Sequence, residues 1–198
     1  MNAREHEQLG RALAFALRAH EGQTRKGKRV PYVSHLLQVA GAVLEHGGDV
    51  EQTIAALLHD TLEDCKDVSA EELATEFGDE VARIVVTCSD LLEGDTPNRK
   101  SPWRERKNAY VAKLQRADRR VRLVAACDKL HNLSNLVADL RAEGADTLTR
   151  FNASPDETLW YHQTVLSALG ADLPRALTLE LEALVGELSQ RLAGQPSG

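Results

Sequence analysis

The chain has 198 residues, of which 42% are hydrophobic, and a formal net charge of −6. This length fits one domain with its own hydrophobic core, and the negative charge argues against broad binding of nucleic acid. The three cysteines have no C-x-x-C spacing, and no apolar run approaches the length of a membrane span. These features predict a cytoplasmic protein with reduced thiols and without a membrane or nucleic-acid partner. They leave the oligomeric state undetermined.

Helical periodicity without long β-branched runs predicts an all-α fold of about eight to ten helices in one domain. The predicted helices are 4–20, 34–46, 50–64, 69–77, 79–91, 102–116, 119–140, 155–169 and 174–192. Ser34 is the expected cap of the second helix, and Ser69 with Glu72 forms a capping-box pattern. Polar loops are predicted at 21–31 and 94–102. We assign residues 1–193 to the domain and residues 194–198 to a disordered tail.

The most informative stretch is His59-Asp60-Thr61-Leu62-Glu63-Asp64, which places one imidazole and three carboxylates at the end of an apolar run. A buried carboxylate beside a histidine needs a partner, because an unpaired charge in a low dielectric is costly. A divalent metal would be that partner. In a continuous helix, His59 and Glu63 would share one face, and Asp60 and Asp64 another. The first pair could then hold an ion, while the second faces whatever the ion holds.

Two further segments supply candidate ligands. His35 lies in the first turn of the helix predicted at 34–46, and Asp128 lies in the middle of the apolar run 121–133. Asn132 follows Asp128 one turn later on the same face, where its amide could bind a substrate ring or ribose. Two imidazoles and two carboxylates with open coordination positions suit Mn²⁺ first, with Fe²⁺, Mg²⁺ or Zn²⁺ as alternatives. The open positions leave room for water and for a phosphoryl oxygen.

The order His35, His59-Asp60, Asp128 resembles the H…HD…D signature of the HD-superfamily metal-dependent phosphohydrolases, which are all-helical. Within that superfamily, the blocks 19–35, 59–64 and 128–132 are similar to the hydrolase domain of RelA/SpoT-type alarmone enzymes and to stand-alone small alarmone hydrolases. The similarity covers about residues 8–170. It implies a single-domain HD-type helical bundle. It also implies metal-dependent removal of the 3′-pyrophosphate from (p)ppGpp, giving GDP or GTP and pyrophosphate, commonly with Mn²⁺.

The resemblance also implies roles for individual residues. The metal ligands would be His35, His59, Asp60 and Asp128, the catalytic acid/base pair Glu63 and Asp64, and the substrate contacts Arg25, Lys26 and Asn132. Two positions depart from the family pattern: Leu36 stands where the family usually has proline, and Ser134 stands where it tends to have arginine. The second departure bears on which nucleotide is recognised and leaves the metal chemistry untouched.

Basic residues form two groups on this acidic chain, and a local positive potential suits a compact polyphosphate ligand. The groups are Arg25, Lys26, Lys28 and Arg29, and then Arg99, Lys100, Arg104, Arg106 and Lys107. Both could also be ordinary solvated surface. One alternative function is an HD phosphohydrolase for another nucleotide, such as a nucleoside phosphate or NADPH. Another is a nucleotide-binding sensor without turnover, against which the complete ligand set and the Glu63-Asp64 pair argue.

Overall fold

The computed structural model describes residues 1–150 and 152–193. In that part of the chain, ten α-helices and one 3-10 helix are joined by loops, and there is no strand. The α-helices are α1 (Ala3–Ala19), α2 (Val33–Glu45), α3 (Val50–Leu58), α4 (Thr61–Asp64), α5 (Ala70–Phe77), α6 (Asp79–Cys88), α7 (Trp103–Arg116), α8 (Arg119–Glu143), α9 (Pro155–Leu169) and α10 (Arg175–Ala193); the 3-10 helix is Gly144–Arg150. The all-α prediction is confirmed. The tail predicted at 194–198 lies outside the described residues.

Helix α3 forms the centre of the main hydrophobic core because it is buried on every side. All residues from Gln52 to Leu58 are buried, and α3 packs against α1, α2, α6 and α8. A reciprocal capping box between Asp49 and Gln52 fixes its N-terminus. Its C-terminus therefore ends inside the protein, and His59 and Asp60 follow at that buried end.

Helix α8 runs through two hydrophobic clusters. Its 25 residues give it a length of about 37 Å. Residues 123–128 are buried in the main core, whereas Leu133, Val137 and Leu140 belong to a second cluster completed by α10 and the 3-10 helix. Asp128 therefore closes the fully buried stretch of the helix, beside the C-terminal end of α3.

The prediction of one helix over 50–64 is wrong, because α3 ends at Leu58 and α4 begins at Thr61. Two side chains take over the carbonyls that the interruption would leave unsatisfied. The Thr61 hydroxyl donates to the Leu58 carbonyl at 2.6 Å, and His59 Nδ1–H donates to the Ala56 carbonyl at 2.8 Å. Asp60 takes the sparsely populated backbone conformation φ −94°, ψ −5°.

This turn changes the expected pairing of side chains. His59 and Asp60 point into the same space, with His59 Nε2 3.1 Å from Asp60 Oδ2. The prediction that His59 and Asp60 lie on two different faces of one helix is therefore wrong, whereas the predicted pair of Asp60 with Asp64 does lie together, because each has an oxygen beside the Tyr32 hydroxyl. A continuous helix would have turned the two neighbouring residues about 100° apart.

Other local predictions can be compared with the helix ends. Ser34 is not the cap of α2, because Tyr32 occupies that position and no side chain caps this helix. Ser69 does cap α5 by accepting from the Glu72 N–H at 3.1 Å. The predicted loops at 21–31 and 94–102 lie in the connections between α1 and α2 and between α6 and α7. Within the described ranges, we find no helix long and apolar enough to cross a membrane.

Candidate active site

Four side chains from three parts of the chain converge beside a cavity of about 760 Å³, which His59, Asp60 and Asp128 line. His35 comes from the first turn of α2, His59 and Asp60 from the turn between α3 and α4, and Asp128 from the middle of α8. His35 Nε2 lies 3.2 Å from His59 Nε2 and 3.3 Å from both Asp60 Oδ2 and Asp128 Oδ1. His59 Nε2 lies 3.1 Å and 3.5 Å from the same two oxygens. The four predicted ligands are thus brought to one centre.

The spacing of these donor atoms fits a divalent cation. Bonds of about 2.1 Å to imidazole nitrogen and carboxylate oxygen separate neighbouring donors by about 3.0–3.4 Å. The observed separations run from 3.1 to 3.5 Å. His35, His59 and Asp128 are all buried, so such a cation would compensate charges that the interior otherwise disfavours.

Surrounding contacts orient both histidine rings and the Asp128 carboxylate. His59 Nδ1–H donates to the Ala56 carbonyl, so Nε2 is the ring nitrogen that faces the centre. His35 Nδ1 lies 2.7 Å from His131 Nδ1. Burial, followed by the charge of His35, lowers the pKa of His131 to about 4, so His131 is neutral near pH 7. On α8, Lys129 donates to Asp128 Oδ2 at 2.6 Å and leaves Oδ1 facing the histidines.

Both aspartates of the centre are ionised at neutral pH. Burial opposes this, but His59 and His35 hold the pKa of Asp60 well below its usual range. Burial also raises the pKa of Asp128, but Lys129 and the two histidines outweigh it and hold this pKa well below its usual range. Two carboxylates therefore face the centre as anions, which is the form that binds a metal.

Glu63 lies on one side of this centre, where it is held by a buried ion cluster. Its carboxylate accepts the backbone N–H of Asp90 at 2.8 Å, and the Asp90 carboxylate accepts from Lys107 at 2.6 Å and from Arg106. Burial, followed by the charges of Asp90 and Asp60, raises the pKa of Glu63 to about 7. A carboxyl group with this pKa is suited to proton transfer near neutral pH.

Asp64 contacts different partners. Its Oδ2 lies 3.3 Å from the Tyr32 hydroxyl, which donates to Asp60 Oδ2 at 2.6 Å. Its Oδ1 lies 3.4 Å from Lys100 Nζ. Burial and the nearby Asp60 charge raise the pKa of Asp64. The two neighbouring acids therefore occupy separate environments, one in the ion cluster with Lys107 and one beside Tyr32.

The three predicted substrate residues all line the cavity. Arg25 Nη2 donates to Asn132 Oδ1 at 2.6 Å, and Asn132 Nδ2 donates to Asp128 Oδ1 at 2.5 Å. A chain of hydrogen bonds thus connects the basic loop between α1 and α2 to a candidate metal ligand. Lys26, the next residue of that loop, also lines the cavity.

The second basic group serves several purposes. Arg106 and Lys107 pair with the buried Asp90, and the Arg104 guanidinium lies 3.3 Å from the centroid of the Trp160 ring. Lys100 projects into the cavity beside the acid pair. Arg106 and Lys107 also line the cavity, but both are paired with Asp90, whereas Lys100 lies beside Glu63 and Asp64.

Several site residues were missed by the sequence predictions. Tyr32 belongs to the block before His35, and its position in that block was a usable signal. Lys129 follows Asp128 directly, and this position beside a predicted ligand was likewise a usable signal. Asp90 carries no such signal, because its cationic partner Lys107 lies 17 positions away and the contact depends on how α6 and α7 pack.

Comparison with known proteins places this site in a family. Residues 12–152 match the model of the HD domain family. The chain belongs to the HD domain family. All four convergent residues fall inside the matched region. The predicted resemblance to HD proteins is confirmed.

Within this family, the chain is similar in sequence to individual proteins of stated activity. The chain is 38% identical over 140 residues to guanosine-3′,5′-bis(diphosphate) 3′-pyrophosphohydrolase MESH1 of Danio rerio, covering 69% of this chain and 73% of that one. It is 36% identical over 138 residues to the guanosine-3′,5′-bis(diphosphate) 3′-pyrophosphohydrolase of Vibrio cholerae. That match covers 67% of this chain but only 18% of the longer bacterial protein.

The fold is also that of a solved structure. A metazoan orthologue of SpoT that hydrolyzes ppGpp superimposes with a TM-score of 0.72 at 26% sequence identity. The superposition covers 91% of this chain and 94% of the other. The HD-type helical bundle predicted from the sequence is thereby confirmed.

Proposed function

We propose that this chain is a divalent-metal-dependent hydrolase that removes the 3′-pyrophosphate of ppGpp or pppGpp and releases GDP or GTP with pyrophosphate. The observation that carries the proposal is the convergence of His35, His59, Asp60 and Asp128. The two histidine Nε2 atoms lie 3.2 Å apart, and each lies 3.1–3.5 Å from an oxygen of both aspartates, directly beside two acids with raised pKa values. The substrate follows from the relatives, because MESH1 of Danio rerio and the structurally similar SpoT orthologue both act on this alarmone by name.

The proposed metal site consists of His35, His59, Asp60 and Asp128, and Mn²⁺ is the preferred ion. Two imidazoles and two carboxylates form a donor set of intermediate hardness, which also accepts Fe²⁺, Zn²⁺ or Mg²⁺. When bound, the cation polarises a phosphoryl oxygen and lowers the pKa of a water molecule. Lys129 and the Ala56 carbonyl act on the ligands themselves by fixing which atoms face the centre.

The proposed proton transfers use the two acids in turn. A water oxygen forms a bond to the phosphorus attached to O3′, and the bond between that phosphorus and O3′ breaks. Glu63 accepts the proton of the attacking water, because its pKa of about 7 makes it an effective base near neutral pH. Asp64, oriented by Tyr32, donates the proton that O3′ needs to leave as a hydroxyl group.

Substrate binding is assigned to Arg25, Lys26 and Asn132. Arg25 and Asn132 are already connected by a 2.6 Å hydrogen bond, so the guanidinium is held at the cavity wall before a ligand arrives. A guanidinium binds phosphate through paired, charge-assisted hydrogen bonds. The amide of Asn132 donates to Asp128 and can accept or donate at a ribose hydroxyl without adding charge.

A substrate panel tests the proposal. Purified protein loaded with Mn²⁺ is incubated with ppGpp, pppGpp, GDP, GTP and NADPH, and the products are resolved by anion-exchange chromatography. We expect GDP and pyrophosphate from ppGpp and no cleavage of GDP or GTP, which lack the 3′ group. Faster release of phosphate from NADPH or a simple nucleotide would overturn the alarmone assignment and retain a phosphohydrolase. Binding of ppGpp without turnover would indicate a sensor.

A further inference from the structure

Lys100 lies on a loop whose shape is fixed by its own side chains. Residues 89–102 connect α6 and α7. The Asp95 carboxylate accepts from the Ser101 N–H at 2.8 Å, from the Ser101 hydroxyl at 2.6 Å and from the Leu92 N–H at 3.1 Å. The Ser101 carbonyl in turn accepts from Arg106 Nε at 3.1 Å, which ties the loop to α7. Lys100 therefore starts from a backbone that is held in place on both sides.

The ammonium group of Lys100 is only weakly engaged by protein. It lies 3.4 Å from Asp64 Oδ1 and 3.8 Å from Glu63 Oε2, both beyond the usual length of a charge-assisted hydrogen bond. Lys107 and Lys129, by contrast, contact their aspartates at 2.6 Å. Lys100 thus makes no close ion pair with a carboxylate, whereas Lys107 and Lys129 each already neutralise an aspartate.

The position of Lys100 relative to the metal centre is defined by Asp64. One Asp64 oxygen faces Tyr32, which is bonded to Asp60 at the centre, and the other oxygen faces Lys100. Asp64 therefore contacts the lysine directly and is connected to the centre through Tyr32. A phosphate chain that starts at the centre and extends past Asp64 would bring its next phosphate to Lys100.

We propose that Lys100 binds the outer phosphate of the 3′-pyrophosphate and makes the site selective for a 3′-diphosphate over a 3′-monophosphate. The inference rests on the proposed function, which places the inner phosphate at the metal centre. The outer phosphate would lie close to the carboxylates of Glu63 and Asp64. Without a nearby cation these negative charges would repel it, and Lys100 supplies that cation. Because the outer phosphate leaves as part of pyrophosphate, Lys100 also contacts the departing product.

The test compares two substrates that differ only in the outer phosphate: guanosine 5′-diphosphate 3′-diphosphate and guanosine 5′-diphosphate 3′-monophosphate. They are assayed with the wild-type protein and with Lys100→Ala, Lys100→Arg and Arg116→Ala, an exposed control on α7. We expect Lys100→Ala to lower kcat/KM for the diphosphate about 10- to 100-fold, the size of one lost charge-assisted contact. The monophosphate should change less than about twofold, and Lys100→Arg should restore much of the preference.

A binding measurement separates this role from a structural one. Calorimetry with the Mn²⁺-loaded protein should give weaker binding of pyrophosphate, but unchanged binding of inorganic phosphate, after Lys100→Ala. The inference would be overturned if Lys100→Ala lowered kcat/KM equally for the two substrates, or if it lowered kcat/KM for neither of them. If wild-type protein cleaves ppGpp and Lys100→Ala retains its preference, only the role of Lys100 fails. If wild-type protein cleaves neither compound, the proposed function itself fails.

Discussion

The hydroxyl of Tyr32 donates a 2.6 Å hydrogen bond to the same Asp60 oxygen that faces both histidines of the candidate metal centre. The same hydroxyl lies 3.3 Å from Asp64. One side chain thus connects a candidate metal ligand to a candidate catalytic acid. Burial, with the charges of Asp60 and Asp64, raises the pKa of Tyr32, so the phenol stays protonated and remains a donor at physiological pH.

Tyr32→Phe is therefore expected to leave the metal site filled while slowing the reaction. Loss of one hydrogen bond to a charged group corresponds to about a 10-fold or larger fall in kcat. The measurements are steady-state kinetics on ppGpp and metal content by mass spectrometry. If the variant kept the wild-type kcat, Tyr32 would not be needed to position Asp64.

Replacing either Asp60 or Asp128 with alanine should empty the metal site. Each change removes one of four donors and leaves two buried histidines with one anionic partner in place of two. We expect about one metal ion per chain in the wild-type protein and less than about a tenth of that in the variants, with hydrolysis abolished. Asp156→Ala, an exposed residue in the first turn of α9, is the control that should keep its metal. Full occupancy in both site variants would contradict the ligand assignment.

Much of this centre could be predicted because its residue types and order are distinctive. His35, His59, Asp60 and Asp128 stand out as polar residues in apolar segments, and their order along the chain matches the H…HD…D signature. The turn at His59 and Asp60 could not be predicted. It depends on the Thr61 hydroxyl taking the Leu58 carbonyl, whereas the apolar pattern of the segment is equally consistent with a continuous helix.

The surroundings of Glu63 show a second limit of the sequence. Its pKa is set by burial and by Asp90, and Asp90 is neutralised by Arg106 and Lys107 on the next helix. In the sequence, these two cations read as part of a basic cluster available to a ligand. Only the packing of α6 against α7 reveals that they serve a buried carboxylate, which leaves Lys100 as the member that faces the acid pair.

The pKa of about 7 at Glu63 predicts the pH dependence of the reaction. If Glu63 must be ionised to accept a proton, kcat/KM should fall as the pH drops below about 7, with one proton taken up. Glu63→Gln should lower kcat by a factor of about 10² or more and abolish this acidic limb of the pH profile, the fall in kcat/KM below about pH 7, while the metal content stays unchanged. A limb that persists at the same pH in the variant would assign the titration to another group.

The same group affects the stability of the metal-free protein. Because the pKa of Glu63 in the folded state lies above its unfolded value, its contribution to stability is fully present below about pH 4.5 and is lost as the pH rises through about 7. Above that range, wild-type protein bears the cost of a buried charge. Glu63→Gln should therefore be about 1–3 kcal/mol more stable than wild type at pH 8, after allowance for partial exposure. Urea unfolding at pH 4.5 should show no such advantage.

Arg25→Ala and Lys26→Ala should mainly weaken substrate binding. Neither side chain has a place in the proton transfers, and both line the cavity wall. We expect KM for ppGpp to rise by about 10- to 100-fold, equivalent to about 1–3 kcal/mol in charge-assisted contacts, with little change in kcat. Arg18→Ala at the end of α1 is the matched control for loss of one positive charge. An unchanged KM in both loop variants would show that Arg25 and Lys26 are ordinary surface residues that do not bind the substrate.

Gly27 determines how the loop that carries Arg25 and Lys26 meets the rest of the protein. Its φ is +71°, and a Cβ there would lie 2.7 Å from Arg150 Cδ. The loop is anchored beside this point by the 2.6 Å ion pair of Lys28 with Asp139. Gly27→Ala should therefore displace the loop and raise KM several-fold at nearly constant kcat. The left-handed backbone costs about 1–2 kcal/mol for alanine. Adding Arg150→Ala removes the steric part, so the double variant should recover part of the lost affinity. A KM within twofold of wild type for Gly27→Ala would show that the loop position does not control substrate binding.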